Sequence, residues 1–228
     1  MPKKIDLMEL FGKNANQDER IFNKQLINVH EFYLSGEIES ADEYIQWFDT
    51  IRHAGENDVV KIYINSPGGD VFTAIQFLRS LQETNATVVM SVEGLCASAA
   101  TMIMLGGESF EISDHSMFMF HNYSGGTFGK GGEMLDQLQH ERKWSERLLR
   151  QVYKDFLTED EITSVLNNKD IWMDGQEVAE RLKARQAKIE AEEQAKEDIE
   201  EKFPEMAIDV EAVKKVAKKK AIKEPKQD

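Results

Sequence analysis

Glu93-Gly94-Leu95-Cys96-Ala97-Ser98-Ala99-Ala100-Thr101 joins two segments of different character. Before it, Thr87-Val88-Val89-Met90-Ser91-Val92 is an apolar run that predicts a buried strand. After it, Met102-Ile103-Met104-Leu105-Gly106-Gly107 predicts a short apolar helix with a glycine stop. Ser98 therefore sits at a strand-to-helix turn among small residues. A serine opening a helix has unpaired backbone N–H groups beside its hydroxyl. Nucleophiles are presented next to an oxyanion hole in this way. The alternative is a serine that only caps the helix.

The same pattern occurs one unit earlier. Val59-Val60-Lys61-Ile62-Tyr63-Ile64-Asn65 predicts a strand, and Val71 to Gln82 predicts a helix. Between them lies Ser66-Pro67-Gly68-Gly69-Asp70, whose glycines allow backbone N–H groups to turn toward a ligand. The lysine and spacing of a phosphate loop are missing. Two consecutive strand–turn–helix units predict an α/β fold with a parallel sheet covered on both faces. Both turns fall at carboxyl ends of strands, where such sheets carry their sites.

Farther out, His30 to Ser35 predicts a strand, and Glu39-Ser40-Ala41-Asp42 predicts a polar cap for the helix carrying Tyr44, Ile45, Phe48 and Ile51. Ser109–Ile112 and Ser116–His121 predict short strands, with His121 ending the second. His30, His53, His115 and His140 read as structural. His121 stands apart because Tyr123 to Gly132 follows it, a glycine-dense stretch of the kind that borders substrate grooves; Gly125 and Gly126 are its candidate substrate contacts. Glu133–Phe156 predicts a long helix, Leu157-Thr158-Glu159-Asp160-Glu161 a capped helix start, Asn167–Asp174 an extended piece, and Gly175–Leu182 the last helix of the folded part. Beyond Leu182 the chain is dominated by Ala, Glu, Lys and Gln, and turns lysine-rich after Lys214. The expected organisation is an N-terminal segment 1–28, a domain 29–182, and a charged helical or disordered extension 183–228.

Composition narrows the functional classes. The 228 residues suffice for one core of ordinary size plus an appendage, and 41% of them are hydrophobic. A net charge of -14 argues against a nucleic-acid partner. No apolar run is long enough to span a bilayer, and the N-terminus lacks a signal-peptide pattern. The one cysteine, Cys96, excludes an intrachain disulfide and suits a reducing, cytoplasmic setting. Its small apolar neighbours make it a structural thiol rather than a rival nucleophile.

From His30 to Leu182 the chain resembles the proteolytic subunit of the Clp protease family. The residues carrying the resemblance are Ile64-Asn65-Ser66-Pro67-Gly68-Gly69, the segment from Gly94 to Ala100, Met119-Phe120-His121, and Asp170 ahead of Glu177-Val178-Ala179. The resemblance implies a crotonase-like ββα spiral with a long handle helix at Glu133–Phe156. It implies a Ser98–His121–Asp170 triad, an oxyanion hole from the N–H groups of Gly69 and Ala99, and substrate contact at Gly68. It also implies protein or peptide substrates, a homo-oligomer of stacked rings, and no metal or cofactor. The chemistry agrees, since a serine hydroxyl needs a base, and a histidine base needs an acceptor on its other nitrogen.

The chain departs from the family pattern in places. Ala99 stands where Met is frequent, and Asn122-Tyr123 replaces the usual Gln-Pro. Residues 1–28 do not resemble the segment that engages the Clp ATPase, leaving that partner open. The extension 183–228 has no counterpart in the usual subunit. Bacteriophage head-maturation proteases of Clp type vary in this way, so a phage context with capsid or scaffold proteins as partners is expected, in host cytoplasm or prohead. The competing readings are an ATPase-coupled peptidase of general degradation, a crotonase-fold acyl-CoA enzyme, and a catalytically idle assembly protein.

Overall fold

The computed structural model describes residues 27–202. Its centre is a six-stranded sheet. Strands β1 (Val29–Ile38), β2 (Val59–Gly69) and β3 (Thr87–Ala97) run parallel. β4 (Ser109–Ile112) and β5 (Met117–Phe120) both pair parallel with β3, β4 along its first half and β5 at its end. β6 (Ile171–Asp174) pairs antiparallel with β5. The expected all-parallel sheet is thus corrected to a mixed one. The cause is connectivity, because β6 returns to β5 from the far end of the chain.

The strands form where β-branched and apolar residues alternate. Val60, Ile62 and Ile64 of β2 and Val88, Met90 and Val92 of β3 are all at most 1% exposed, and they pair in register. These residues pack with Phe48 and Ile51 of α1 (Ile45–His53), Ala74 and Phe77 of α2 (Val71–Glu83), and Met102 and Ile103 of α3 (Ala99–Met104). Phe48 and Phe77 meet edge to face, 4.8 Å between centroids, a favoured aromatic geometry. The opposite face is not fully covered. Tyr33 is exposed and stacks on Tyr63, whose hydroxyl donates to Glu31 (2.7 Å), while Lys61 donates to Glu111 (2.8 Å). The polar character of Glu31, Lys61 and Glu111 explains why coverage on both faces does not hold here.

Several local expectations meet their outcome. Asp70 caps α2, its carboxylate accepting from Thr73 N–H at 2.6 Å. Thr158 and Glu161 form a reciprocal capping box at the start of α5 (Glu159–Leu166). Ser40, by contrast, makes no side-chain cap; Ala41–Tyr44 is a 3₁₀ turn leading into α1. The long helix is α4 (Gly131–Val152), shorter at its end than expected. Tyr153, Phe156 and Leu157 follow it in a tight turn and belong to the core, at 1%, 4% and 5% exposure. Tyr153 meets Phe120 edge to face, so it does not form an outer handle surface. Leu135 and Leu138 are the large apolar residues that α4 leaves exposed.

α6 runs unbroken from Gly175 to Lys202, across the expected boundary. Among its described side chains, the buried apolar ones are Val178 and Leu182. Arg181 ties it to α5 by donating to both oxygens of Glu161, at 2.7 and 2.8 Å. That pairing lowers the Glu161 pKa to about 2, since an adjacent guanidinium favours the ionised carboxyl. Six residues past Leu182, Lys188 pairs with Asp155. Among the described residues no helix is long and apolar enough to cross a membrane. The expectations for residues 1–26 and 203–228 lie outside the described residues.

Candidate active site

β3 ends at Ala97 and α3 begins at Ala99, leaving Ser98 between them at φ 55°, ψ −128°. A serine pays about 1–3 kcal/mol for so sparsely populated a conformation, and keeps it only when its surroundings enforce it. Those surroundings are explicit. Ser98 N–H donates to Met119 C=O of β5 at 2.8 Å. Ser98 C=O accepts from Thr101 N–H at 3.0 Å and from Thr101 Oγ1 at 2.6 Å. Gly68 packs directly beneath, with φ +97°; a Cβ there would lie 2.6 Å from the Cβ of Ser98. Only glycine tolerates both the dihedral and the approach.

The Ser98 side chain does not cap α3. It meets His121, with Oγ 2.6 Å from Nε2. His121 directly follows β5, and the pairing of Leu95–Ala97 with Met117–Met119 carries it to the end of β3. Two adjacent parallel strands thus deliver the serine and the imidazole to one point. With Nε2 neutral and accepting, the imidazole can take the serine proton as the hydroxyl attacks.

A cleft of about 500 Å³ opens over this pair. Gly69, Ser98, Ala99, His121, Gly125 and Gly126 all line it. Ala99 is the first residue of α3, where backbone N–H groups lack intrahelical partners. Gly69 ends β2 with φ +147°. An added Cβ on Gly125 or Gly126 would meet nothing within 4 Å, so this stretch borders open space. Gly68 does not line the cleft but supports its floor from below.

Asp170 makes no hydrogen bond or ion pair with His121. It is exposed, and the hydrogen bonds among the described residues include none between the two side chains. Its backbone is nevertheless close in register. Phe120 pairs with Ile171, so the next step of the antiparallel ladder sets His121 opposite Asp170. Asn122 fastens this junction, its amide donating to Asn168 Oδ1 at 3.1 Å and to Leu166 C=O at 3.4 Å.

Sequence reasoning missed other parts of the cleft. Phe72 of α2 stacks on Trp144 of α4 at 5.4 Å, and both line it with Met102, His140 and Glu141. Trp144 lies within the long helix expected over Glu133–Phe156, whose apolar spacing could have pointed to it, whereas nothing local marks Phe72 as a cleft residue. Cys96 is fully buried and its thiol is pushed well above the usual range by burial, which makes it unreactive.

Comparison with known proteins gives concordant matches. A family model described as Clp protease matches residues 14–181. The chain is 28% identical over 134 residues to ATP-dependent Clp protease proteolytic subunit 1 of Salinibacter ruber, covering 57% of each chain. It is 27% identical over 123 residues to the ATP-dependent Clp protease proteolytic subunit of Bacteroides thetaiotaomicron, covering 53% of this chain and 56% of the relative. It is 36% identical over 93 residues to the corresponding subunit of Pleurastrum terricola, covering 40% of this chain and 45% of the relative. The chain thus spans about half the length of these relatives.

Proposed function

This chain belongs to the Clp protease family, and from that premise we propose that it is a serine endopeptidase. Ser98 attacks the scissile carbonyl and His121 takes its proton, then returns it to the leaving amine. The N–H groups of Gly69 and Ala99 stabilise the oxyanion, each donor contributing about 3 kcal/mol in sites of this type. Asp170 orients the imidazole through Nδ1 once its carboxylate turns inward from its register position. The observation that carries the reading is the 2.6 Å contact of Ser98 Oγ with His121 Nε2 at a strained turn facing a cleft. A helix-capping serine would have its hydroxyl on an α3 N–H instead.

The subunit assembles into homo-oligomeric rings in our reading, supported by family membership and by exposed Leu135 and Leu138 on α4. Its substrates are proteins or peptides in the cytoplasm. The relatives are named as ATP-dependent subunits, and partnership with an ATPase is the alternative to a phage maturation role. The highly charged extension favours the maturation role, with residues 183–228 directing the enzyme to capsid or scaffold protein and the buried apolar core ending near Leu182 while α6 itself continues to Lys202.

Hydrolysis of short fluorogenic peptides and of acyl-CoA thioesters, assayed on one preparation, tests the chemistry. We expect peptide cleavage that falls about 10⁴-fold or more in Ser98→Ala, and no thioester turnover. Thioester turnover that survives Ser98→Ala, without peptide cleavage, would replace the peptidase by an acyl-CoA enzyme.

A further inference from the structure

Ser98 and Ala99 share one peptide unit, and that unit is gripped from behind. The Ser98 carbonyl accepts from Thr101 Oγ1 at 2.6 Å. Thr101 Oγ1 lies 2.8 Å from the Tyr153 hydroxyl. A threonine hydroxyl carries one proton, and the carbonyl has no proton to offer, so the Thr101 proton is committed to Ser98. Tyr153 must then be the donor to Thr101. The chain of donation runs in one direction, from Tyr153 through Thr101 to the Ser98 C=O. Thr101 is completely buried and Tyr153 is 1% exposed, so water does not compete for these bonds. Burial also pushes the Tyr153 hydroxyl well above its usual range, which keeps it protonated.

The peptide unit is planar, so fixing its C=O fixes the direction of its N–H. The N–H of this unit belongs to Ala99, at the mouth of α3, and Ala99 lines the cleft. Hydrogen bonds in series also polarise one another. A carbonyl that accepts two bonds makes the N–H at the other end of its peptide a stronger donor. Tyr153 is the residue immediately after α4, and its ring packs on Phe120, which precedes His121.

We propose that Thr101 and Tyr153 are positioning residues that aim and strengthen the Ala99 N–H as an oxyanion donor. This rests on the serine-peptidase reading. Tyr153 also borders the cleft, but in this role both residues act through the Ser98–Ala99 peptide. Because an oxyanion exists only as the carbonyl is attacked, their effect falls on kcat and not on KM.

The test uses Thr101→Val, which keeps shape and removes the hydroxyl, Thr101→Ser, which keeps the hydroxyl, and Tyr153→Phe. Each is assayed for kcat and KM on a fluorogenic peptide and for inhibition by a peptide boronic acid, whose tetrahedral adduct carries the oxyanion. Weakening a donor without deleting it should lower kcat about tenfold in Thr101→Val and Tyr153→Phe, with KM within about twofold and boronate affinity reduced in proportion to kcat/KM. Thr101→Ser should restore kcat to near wild type. The double variant should lose little more than either single one, because the two residues act in one chain. Unchanged kcat in Tyr153→Phe, or a Thr101→Ser variant as slow as Thr101→Val, would overturn the proposal. Loss of kcat with unchanged boronate affinity would overturn it too, reducing both residues to packing. A wild-type protein that neither cleaves peptide nor binds boronate would instead remove the serine-peptidase reading on which the proposal stands.

Discussion

Two junctions of this molecule carry the expected triad, and they are held very differently. The β3–α3 turn at Ser98 is fixed by hydrogen bonds on its N–H and C=O, by Gly68 beneath its Cβ, and by His121 at its hydroxyl. The α5–β6 junction at Asp170 is tethered through the backbone and Asn122, but the carboxylate itself is exposed and without a bond to His121. The difference teaches that the sheet itself holds Ser98 and His121 together, whereas Asp170, in the proposed triad, would have to turn its side chain to reach the imidazole. A strained serine needs the support of a buried core; an aspartate at a strand entrance needs only a register that brings it near.

Asp170→Asn presses hardest on that contrast. If the carboxylate turns in during catalysis, kcat should fall by roughly 100-fold or more with folding unchanged. Activity within a few-fold of wild type would instead make the site a Ser98–His121 dyad, with the two junctions different in role as well as in rigidity.

Acid sharpens the comparison from the structural side. The segment bearing Asp170 lies between α5 and α6, which the Glu161–Arg181 pair clamps. The folded-state pKa of Glu161 is depressed from 4.5 to about 2. The pair therefore stabilises the fold fully above the unfolded value and loses that contribution as pH falls from 4.5 toward 2. Arg181→Met should lower the thermal midpoint at neutral pH by a few degrees, corresponding to about 1–2 kcal/mol. The gap from wild type should close between pH 4.5 and 2. A gap that is independent of pH would show that Arg181 acts through packing alone.

The smallest effect is expected from the far end. Ending the chain after Leu182 removes no buried apolar side chain of the described core and forfeits the Lys188–Asp155 pair, a surface contact worth about 1 kcal/mol or less. Short-peptide cleavage should stay within about twofold, while processing of a natural protein substrate should weaken. Loss of both peptide cleavage and the oligomer would make the extension part of the fold.

Much of this was legible in the sequence because the relevant signals are local. The apolar runs at 59–65 and 87–92 give strands whichever partner they find, and Thr158 with Glu161 spells a capping box within four residues. Ser98 was legible because small residues surround it at a change of periodicity. What escaped was non-local. Nothing near Ile171 announces that β6 runs antiparallel to β5, and nothing near Thr101 announces Tyr153, 52 residues away. The polar face of the sheet escaped because Glu31, Lys61 and Glu111 gain meaning only when three strands align. Tyr153 falls inside the long helix expected over Glu133–Phe156, yet the chain turns at that residue and buries it.

The most direct measurement is the position of a fluorophosphonate adduct. These reagents phosphonylate serines activated by a neighbouring base and leave ordinary helix-capping serines untouched. Mass analysis of the labelled protein should find one adduct per chain, on the peptide containing Ser98, and none in Ser98→Ala or in His121→Ala. No adduct on Ser98 in the folded wild-type protein, or one that persists in Ser98→Ala, would contradict its assignment as the nucleophile.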